Sequence, residues 1–399
     1  MNQPTRVLQT AKEHRQPLGF SLGTYLRSLD WVLLGATLAL VAYGLFMLYS
    51  ATHADTNIST PFYYVRSQAI GLVMGFVFLV MLSIMNYQWF ARWQMYIFGA
   101  TLLLLVLTLV IGSGNETVGA NRWIQLPYFR LQTSELAKLL LILALGAVLA
   151  EGVELRHRLR FVILCVVYVA IPGVLVYLQP DLGTALVFMA MLVVMLVIWG
   201  IRLAHLGVLA GAGTVAATLV LRVLPSAFGV HLLKDYQFKR LTLFLDPESD
   251  PSGVGYQLTQ SKIAVGSGMF TGKGYMQGTQ THLNFLPAHH TDFIFAVIGE
   301  ELGFVGAIAL LALFGVIIWR AFRIARMSRH LYGTLIAAGI AGVVAFQVFV
   351  NVGMTIGIMP VTGVPLPFVS FGSSSLVVFL MAIGLLESVH VHSVAGPKT

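Results

Sequence analysis

The chain has 399 residues, of which 57% are hydrophobic and 10% charged, with a mean hydropathy of +0.83, against about 25% charged in ordinary soluble domains. That balance excludes a soluble globular enzyme and identifies a polytopic membrane protein. The formal charge of +8 does not point to nucleic acid, because the basic residues fall in short loops between apolar runs, where membrane orientation and anionic headgroups account for them.

Residues 1–28 are polar and lack the apolar stretch of a signal peptide, so no cleavable leader is expected and the first span acts as a signal anchor. Runs long enough to cross roughly 30 Å of hydrocarbon fall near 30–50, 67–86, 93–111, 133–151, 161–178, 183–200, 206–223, 292–319, 333–356 and 369–388, which predicts ten transmembrane helices. The expected fold class is all-α, with a tail at 1–28, one transmembrane domain over 29–389 and a second tail at 390–399. Arg6, Lys12, Arg15 and Arg27 precede the first span, Arg156, Arg158 and Arg160 follow the fourth, and Arg320, Arg323, Arg326 and Arg329 follow the eighth. With ten spans these all share one side, which the positive-inside rule makes cytoplasmic, and both tails with it.

The large loop at 224–291, between the seventh and eighth spans, is then extracellular. It is too long for a plain connector. Phe238, Leu241, Phe244 and Leu245 suggest short helices at the membrane surface, and Asp246-Pro-Glu-Ser-Asp-Pro251 reads as a turn. Lys234, Lys239, Arg240, Lys262 and Lys273 do not overturn the orientation, because long loops follow the rule poorly. The single cysteine, Cys165, lies in an apolar run and reads as small apolar filler.

Several stretches carry candidate chemistry. Gly119-Ala-Asn-Arg-Trp-Ile-Gln125 leads to Gln132-Thr-Ser-Glu-Leu-Ala-Lys138, where Glu135 and Lys138 share a helix face. They form either a self-neutralising ion pair or, with Arg122, an address for an anionic ligand in which Glu135 holds Lys138; the arginine fork suits phosphate oxygens. Gln179-Pro-Asp-Leu-Gly-Thr184 interrupts an apolar stretch and reads as a short external turn, or else Asp181 caps the sixth span or lines an outward cavity. The glycine-rich run 256–278 is not a P-loop, since Gly274 follows Lys273 where that motif needs serine or threonine. His282, His289, His290 and Asp292 do not have the spacing of a closed transition-metal site. A hard divalent cation, magnesium or manganese, held between Asp292 and substrate phosphates is more credible. Gly357 to Ser375, with its prolines, glycines and serines at membrane depth, reads as a broken or re-entrant segment. There Ser370 and Ser374 are candidate ligands for sugar or phosphate oxygens, and helix packing by small residues is the alternative for Ser373–Ser375.

Phe285 to Glu301 is where the long polar loop runs into a hydrophobic helix and sets Asp292 at a membrane boundary. A charge there either offsets the helix dipole or faces a wet cavity and acts chemically.

Taken together, these stretches resemble the SEDS family (shape, elongation, division and sporulation), from Asp30-Trp31 through the tenth span. The resemblance is carried by Arg122-Trp123, Ser134-Glu135 with Lys138, Gln179-Pro-Asp-Leu-Gly183, Asp246-Pro with Asp250-Pro, Gln260-Ser-Lys-Ile-Ala, Gly278-Thr-Gln280, His290-Thr-Asp-Phe-Ile-Phe295, Glu300-Glu-Leu-Gly303 and Pro360-Val-Thr-Gly-Val-Pro-Leu-Pro-Phe. It implies a peptidoglycan glycosyltransferase that polymerises lipid II on the outer face of the cytoplasmic membrane. The partners implied are a class B penicillin-binding protein (a transpeptidase), other elongation-complex proteins and membrane lipids, and no nucleic acid. The family's essential aspartate falls on Asp292, which assigns it the role of general base. Arg122, Lys138 and Lys273 are then expected to neutralise the pyrophosphate leaving group, and Glu300 and Glu301 to make helix-to-helix contacts. Thr133, Ala288, Phe371 and Ser373 depart from the family pattern, and none of them removes an ionisable group given a role. The motifs at 246–251 and 260–268 resemble the elongation branch more than the division branch. A lipid flippase is the rival reading from another class. The sequons at Asn57 and Asn115 are accidental in a bacterial family.

Overall fold

The structure is a computed structural model that describes residues 22–53, 62–115, 120–126, 129–219, 237–238, 240, 243–244, 246–247, 250, 253–283 and 285–394. Asn57, Gly119, Lys234, Lys239, Leu241, Leu245 and most of the two expected tails lie outside the described residues. Nine described helices are long and apolar enough to span a membrane: α1 (Trp31–His53), α2 (Tyr63–Ile84), α3 (Gln94–Ile111), α4 (Thr133–Glu151), α5 (Leu159–Leu178), α6 (Leu182–Trp199), α9 (Ile294–Met327), α10 (Leu331–Thr355) and α11 (Ser373–Val394). The expected span near 206–223 corresponds to α7 (Leu203–Thr218), a 16-residue apolar helix; residues 220–223 lie outside the described set. A further helix, α8 (Val254–Ser267), forms inside the large loop.

The polytopic helical architecture is as expected, with one addition. Between α3 and α4 the chain builds a three-stranded antiparallel sheet in the order β1 (Ser113–Asn115), β2 (Ala120–Leu126), β3 (Phe129–Gln132), with Trp123 opposite Gln132 and Gln125 opposite Arg130. Hydropathy windows as long as a span, about 19 residues, average such short strands away. The signal lay in the aromatic and branched residues of Trp123, Ile124 and Phe129.

Lipid explains why most helices are apolar all round: Val110 on α3, Val73 on α2 and Val174 on α5 are exposed on the outer surface. The interior is made by α4, α10 and α11, most of whose residues are buried. Helix α11 runs along α2, and α10 lies between α9 and α6. The α2–α11 contact is close because α11 has no side chain at Gly384, where a Cβ would stand 2.6 Å from the Leu79 carbonyl oxygen. Backbone cannot retreat from such a contact, and small residues are how membrane helices approach this closely.

Helix α9 is 34 residues long and is interrupted at Gly303 (φ 62, ψ −158). The loop after α8 plugs into the break: Phe304 N–H donates to Met269 O (3.0 Å), Val305 N–H to Phe270 O (3.1 Å), Lys273 N–H to Glu300 O (3.0 Å) and Gly274 N–H to Glu301 O (3.0 Å). Backbone groups freed inside a membrane are thereby satisfied by protein. Because the spans alternate in direction, the interruptions at 112–115, 129–132, 179–181, 285–293 and 356–372 gather at one end of the bundle. At the other end Asp30, leading α1, bonds Arg320 of α9 through Nε (2.7 Å) and donates its N–H to Glu387 of α11 (3.0 Å).

Gly384→Val is expected to lower the thermal midpoint of the detergent-purified protein, reflecting an overpacking cost of about 1–3 kcal/mol. An unchanged midpoint would show that α2 and α11 can move apart freely.

Candidate active site

Asp292 stands one residue before the cap of α9, and the re-entrant segment holds the backbone around it. Ser370 Oγ donates to Thr291 O (2.7 Å) while accepting from Leu366 N–H (2.8 Å), and Phe371 N–H donates to His290 O (3.0 Å). Asn351 on α10 spans both pieces, its Nδ2 donating to Asp292 O (2.9 Å) and Val364 O (2.8 Å). The side chain itself is half-buried and points to Gly363, where a Cβ would lie 3.3 Å from Asp292 Oδ2 and 3.2 Å from Arg240 Nη1. The left-handed backbone at Gly363 (φ 71) and its missing side chain let carboxylate and guanidinium share that space.

Arg122 reaches the same cleft from β2. Its Nε donates to Gln179 O (3.1 Å) and its Nη2 bonds Pro180 O, at the break between α5 and α6. Carbonyls are neutral acceptors, so Arg122 keeps its charge and its remaining N–H groups. Asp181 both caps a helix and lines the cleft, the two alternatives to a plain external turn. It caps α6 by accepting from Thr184 N–H (3.2 Å) and Oγ1 (2.9 Å), and it lines the cleft with Arg122, Gln237, Arg240 and Thr362. Ser134, at the start of α4, donates to Asp181 Oδ2 (3.1 Å).

Burial pushes the Asp292 carboxyl above its ordinary range, Arg240 and Arg122 pull it back, and Asp181 adds a smaller upward push. The net direction is upward. A carboxyl so placed takes up a proton more readily than one in water, which suits a group meant to remove one.

The other expected binding residues go elsewhere. Lys138 Nζ is 2.6 Å from Glu135 Oε1, both nearly inaccessible, and Glu135 Oε2 accepts from Ser375 Oγ (2.9 Å). The ammonium lies over the Phe379 ring and borders an apolar cavity with Ile142, Ile340 and Val378. The self-neutralising pair is therefore the arrangement found. Lys273 Nζ is 2.6 Å from Glu300 Oε1, and Glu300 also accepts from Thr279 and Gln280 backbone N–H groups, so this lysine fastens the loop to α9. Glu301 does make the helix-to-helix contact, accepting from Ser50 Oγ of α1 (2.6 Å). Ser374 Oγ accepts from Gln132 N–H (3.0 Å), and Ser370 is used by backbone as above. Both serines position polypeptide.

Arg240, counted in the sequence only among loop charges, is the residue that sequence reasoning missed. No periodicity marks a side chain that a long loop folds back over a cleft. Among the described residues no three His, Cys, Asp or Glu side chains converge as a metal site. His289 has its ring nitrogens against Leu286 O (2.8 Å) and Ala51 O (2.9 Å). A cation shared between Asp292 and substrate oxygens needs few protein ligands, and among the described residues the cleft's other carboxylate, Asp181, is occupied by Ser134 and Thr184.

The chain is similar to known proteins over most of its length. The family model described as cell cycle protein (FtsW, RodA, SpoVE) matches residues 30–395. Peptidoglycan glycosyltransferase MrdB of Escherichia coli K12 is 38% identical over 365 residues, covering 91% of this chain and 94% of that protein. A probable peptidoglycan glycosyltransferase FtsW of Trichlorobacter lovleyi is 38% identical over 375 residues, covering 93% and 95%. The crystal structure of the rod shape determining protein RodA of Thermus thermophilus superposes with a TM-score of 0.66 at 31% identity, covering 92% of this chain and 98% of that one. A chain from a peptidoglycan synthase complex that coordinates polymerization and crosslinking superposes at 0.75 with 33% identity and the same coverage, 92% and 98%. With the match running from the first span to the end of the last, this multi-pass membrane chain belongs to the FtsW, RodA and SpoVE family of cell cycle proteins, the SEDS family its motifs resemble.

Proposed function

We propose that this chain is a peptidoglycan glycosyltransferase that polymerises lipid II, with Asp292 as the general base. The observation that carries the reading is the meeting of Asp292, Arg240 and Arg122 in one cleft at the end of the bundle where the broken segments gather. Asp292 removes the proton from the acceptor sugar's 4-hydroxyl as that oxygen attacks the anomeric carbon of the donor glycan, and the lipid pyrophosphate leaves. One carboxylate and no covalent intermediate imply inversion at that carbon. The developing pyrophosphate charge falls to Arg122 and Arg240, because the charges of Lys138 and Lys273 are taken by Glu135 and Glu300. A magnesium or manganese ion, held by Asp292 and substrate oxygens, would supply further neutralisation there.

The basic loops support an orientation with both tails in the cytoplasm of a bacterial cell and the cleft outside. A class B penicillin-binding protein is the natural partner, because a similar chain works within a complex that couples polymerization to crosslinking. The elongation branch rests on the motifs at 246–251 and 260–268, since the MrdB and FtsW relatives are equally similar at 38%. A flippase needs a charge path through the membrane midplane, and the bundle's Lys138 and Arg320 are instead neutralised by Glu135 and Asp30.

Asp292→Asn is expected to fold with an unchanged thermal midpoint and to lose at least roughly 10²-fold in lipid II polymerisation by the purified protein with a transpeptidase-inactive partner. Full activity in that variant would remove the proposed base. The pH profile is a second test: activity requires the carboxylate, so it should fall as pH drops through a midpoint above the ordinary carboxylate range. Arg240→Gln removes a charge that holds the pKa down, so the acid limb should move to higher pH; a limb that stays in place would separate Arg240 from Asp292.

A further inference from the structure

Two turns at the end of the bundle opposite Asp292 converge on one histidine. Residues 152–158 join α4 to α5, and residues 200–202 join α6 to α7. Arg156 Nε lies 3.3 Å from His157 Nε2, and Arg202 Nε lies 3.1 Å from His157 Nδ1. A neutral imidazole has one N–H and one lone pair, so it accepts from one guanidinium only, and a protonated ring accepts from neither. One arginine is therefore left facing a group that offers it nothing.

The surroundings deepen the positive charge. Arg158 and Arg160 flank the same turn, all four arginines are exposed, and none of them forms an ion pair among the described residues. Of the nearby carboxylates, Glu151 accepts from Gln94 Nε2 (2.9 Å) and Glu154 is exposed on the short turn Val153–Leu155. Arg158 and Arg202 precede the first residues of α5 and α7, whose N-termini carry no side-chain cap, so the amides of both first turns add partial positive charge. Immediately along those helices the surface turns apolar: Leu203 is 83% exposed, and Ile163 and Leu164 are about half exposed. An anion recognised here meets charge on one side and hydrocarbon-compatible surface on the other, which is the chemistry of a lipid.

The geometry points to a binding site for the headgroup of an anionic phospholipid, its phosphate oxygens bridging Arg156 and Arg202 at His157 and its acyl chains lying along α5 and α7. The inference rests on the membrane orientation read above only for which leaflet supplies the lipid. Binding by the purified chain does not depend on that orientation.

The test uses the full chain in a non-ionic detergent, with bound lipid followed by native mass spectrometry during titration with phosphatidylglycerol and, separately, phosphatidylcholine. Phosphatidylglycerol is expected to bind in preference. R156Q/R202Q should weaken it roughly thirtyfold, from two surface charges removed, while R156K/R202K, which keeps both charges, retains most of it and separates loss of charge from loss of fold. R326Q/R329Q removes two arginines at the same end of the bundle and should leave binding unchanged. Equal affinity in R156Q/R202Q, equal loss in R326Q/R329Q, no preference over phosphatidylcholine, or displacement by millimolar inorganic phosphate would each overturn the assignment.

Discussion

Asn351 donates from one side-chain nitrogen to Asp292 O and to Val364 O, and the local architecture of the cleft hangs on that amide. It ties three pieces of chain that have no regular structure in common: the approach to α9, the last turn of α10 and the re-entrant segment. With Ser370 and Phe371 closing the other side, the backbone at 290–292 is fixed by hydrogen bonds none of which uses the Asp292 carboxylate oxygens. For the base proposed above, attachment through the backbone leaves its oxygens to substrate, and positioning of this kind is where much of an enzyme's rate advantage originates.

Charge inside a bilayer is expensive, so where each cation finds its partner decides what is left for chemistry. Lys138, Lys273 and Arg320 are matched with Glu135, Glu300 and Asp30. The Lys273 and Arg320 pairs fasten the α8–α9 loop and α1 to α9, while the Lys138 pair lies within α4, whose Glu135 reaches Ser375 of α11. Arg122 is fixed differently, by carbonyl oxygens that orient it without cancelling its charge. The guanidinium nearest Asp292 comes from the large loop, which makes that loop part of the cleft wall. Its second attachment, at the Gly303 break of α9, places Glu300 and Glu301 where loop and helix meet, so movements of the loop and of α9 are mechanically joined.

Composition and hydropathy were enough to determine a helical membrane bundle, the approximate limits of its spans and the end at which its broken segments collect, because these depend on transfer of each stretch into hydrocarbon and on the alternation of direction. Position alone left Asp292 either offsetting the helix dipole or facing a wet cavity, and it was the family resemblance of the surrounding motif that singled it out. Partnership was not legible. Lys273 lies 27 residues from Glu300, and Asp30 lies 357 from Glu387. Whether a lysine meets a carboxylate or a ligand is decided by which helices pack together, and apolar spans that face lipid on one side and protein on the other carry almost no periodicity to reveal it. The plugging of the Gly303 break by the loop after α8, the return of Arg240 to Asp292 and the meeting of Arg156 with Arg202 at His157 are contacts between segments distant in the chain, and only the tertiary structure decided them, because each depends on distance in space.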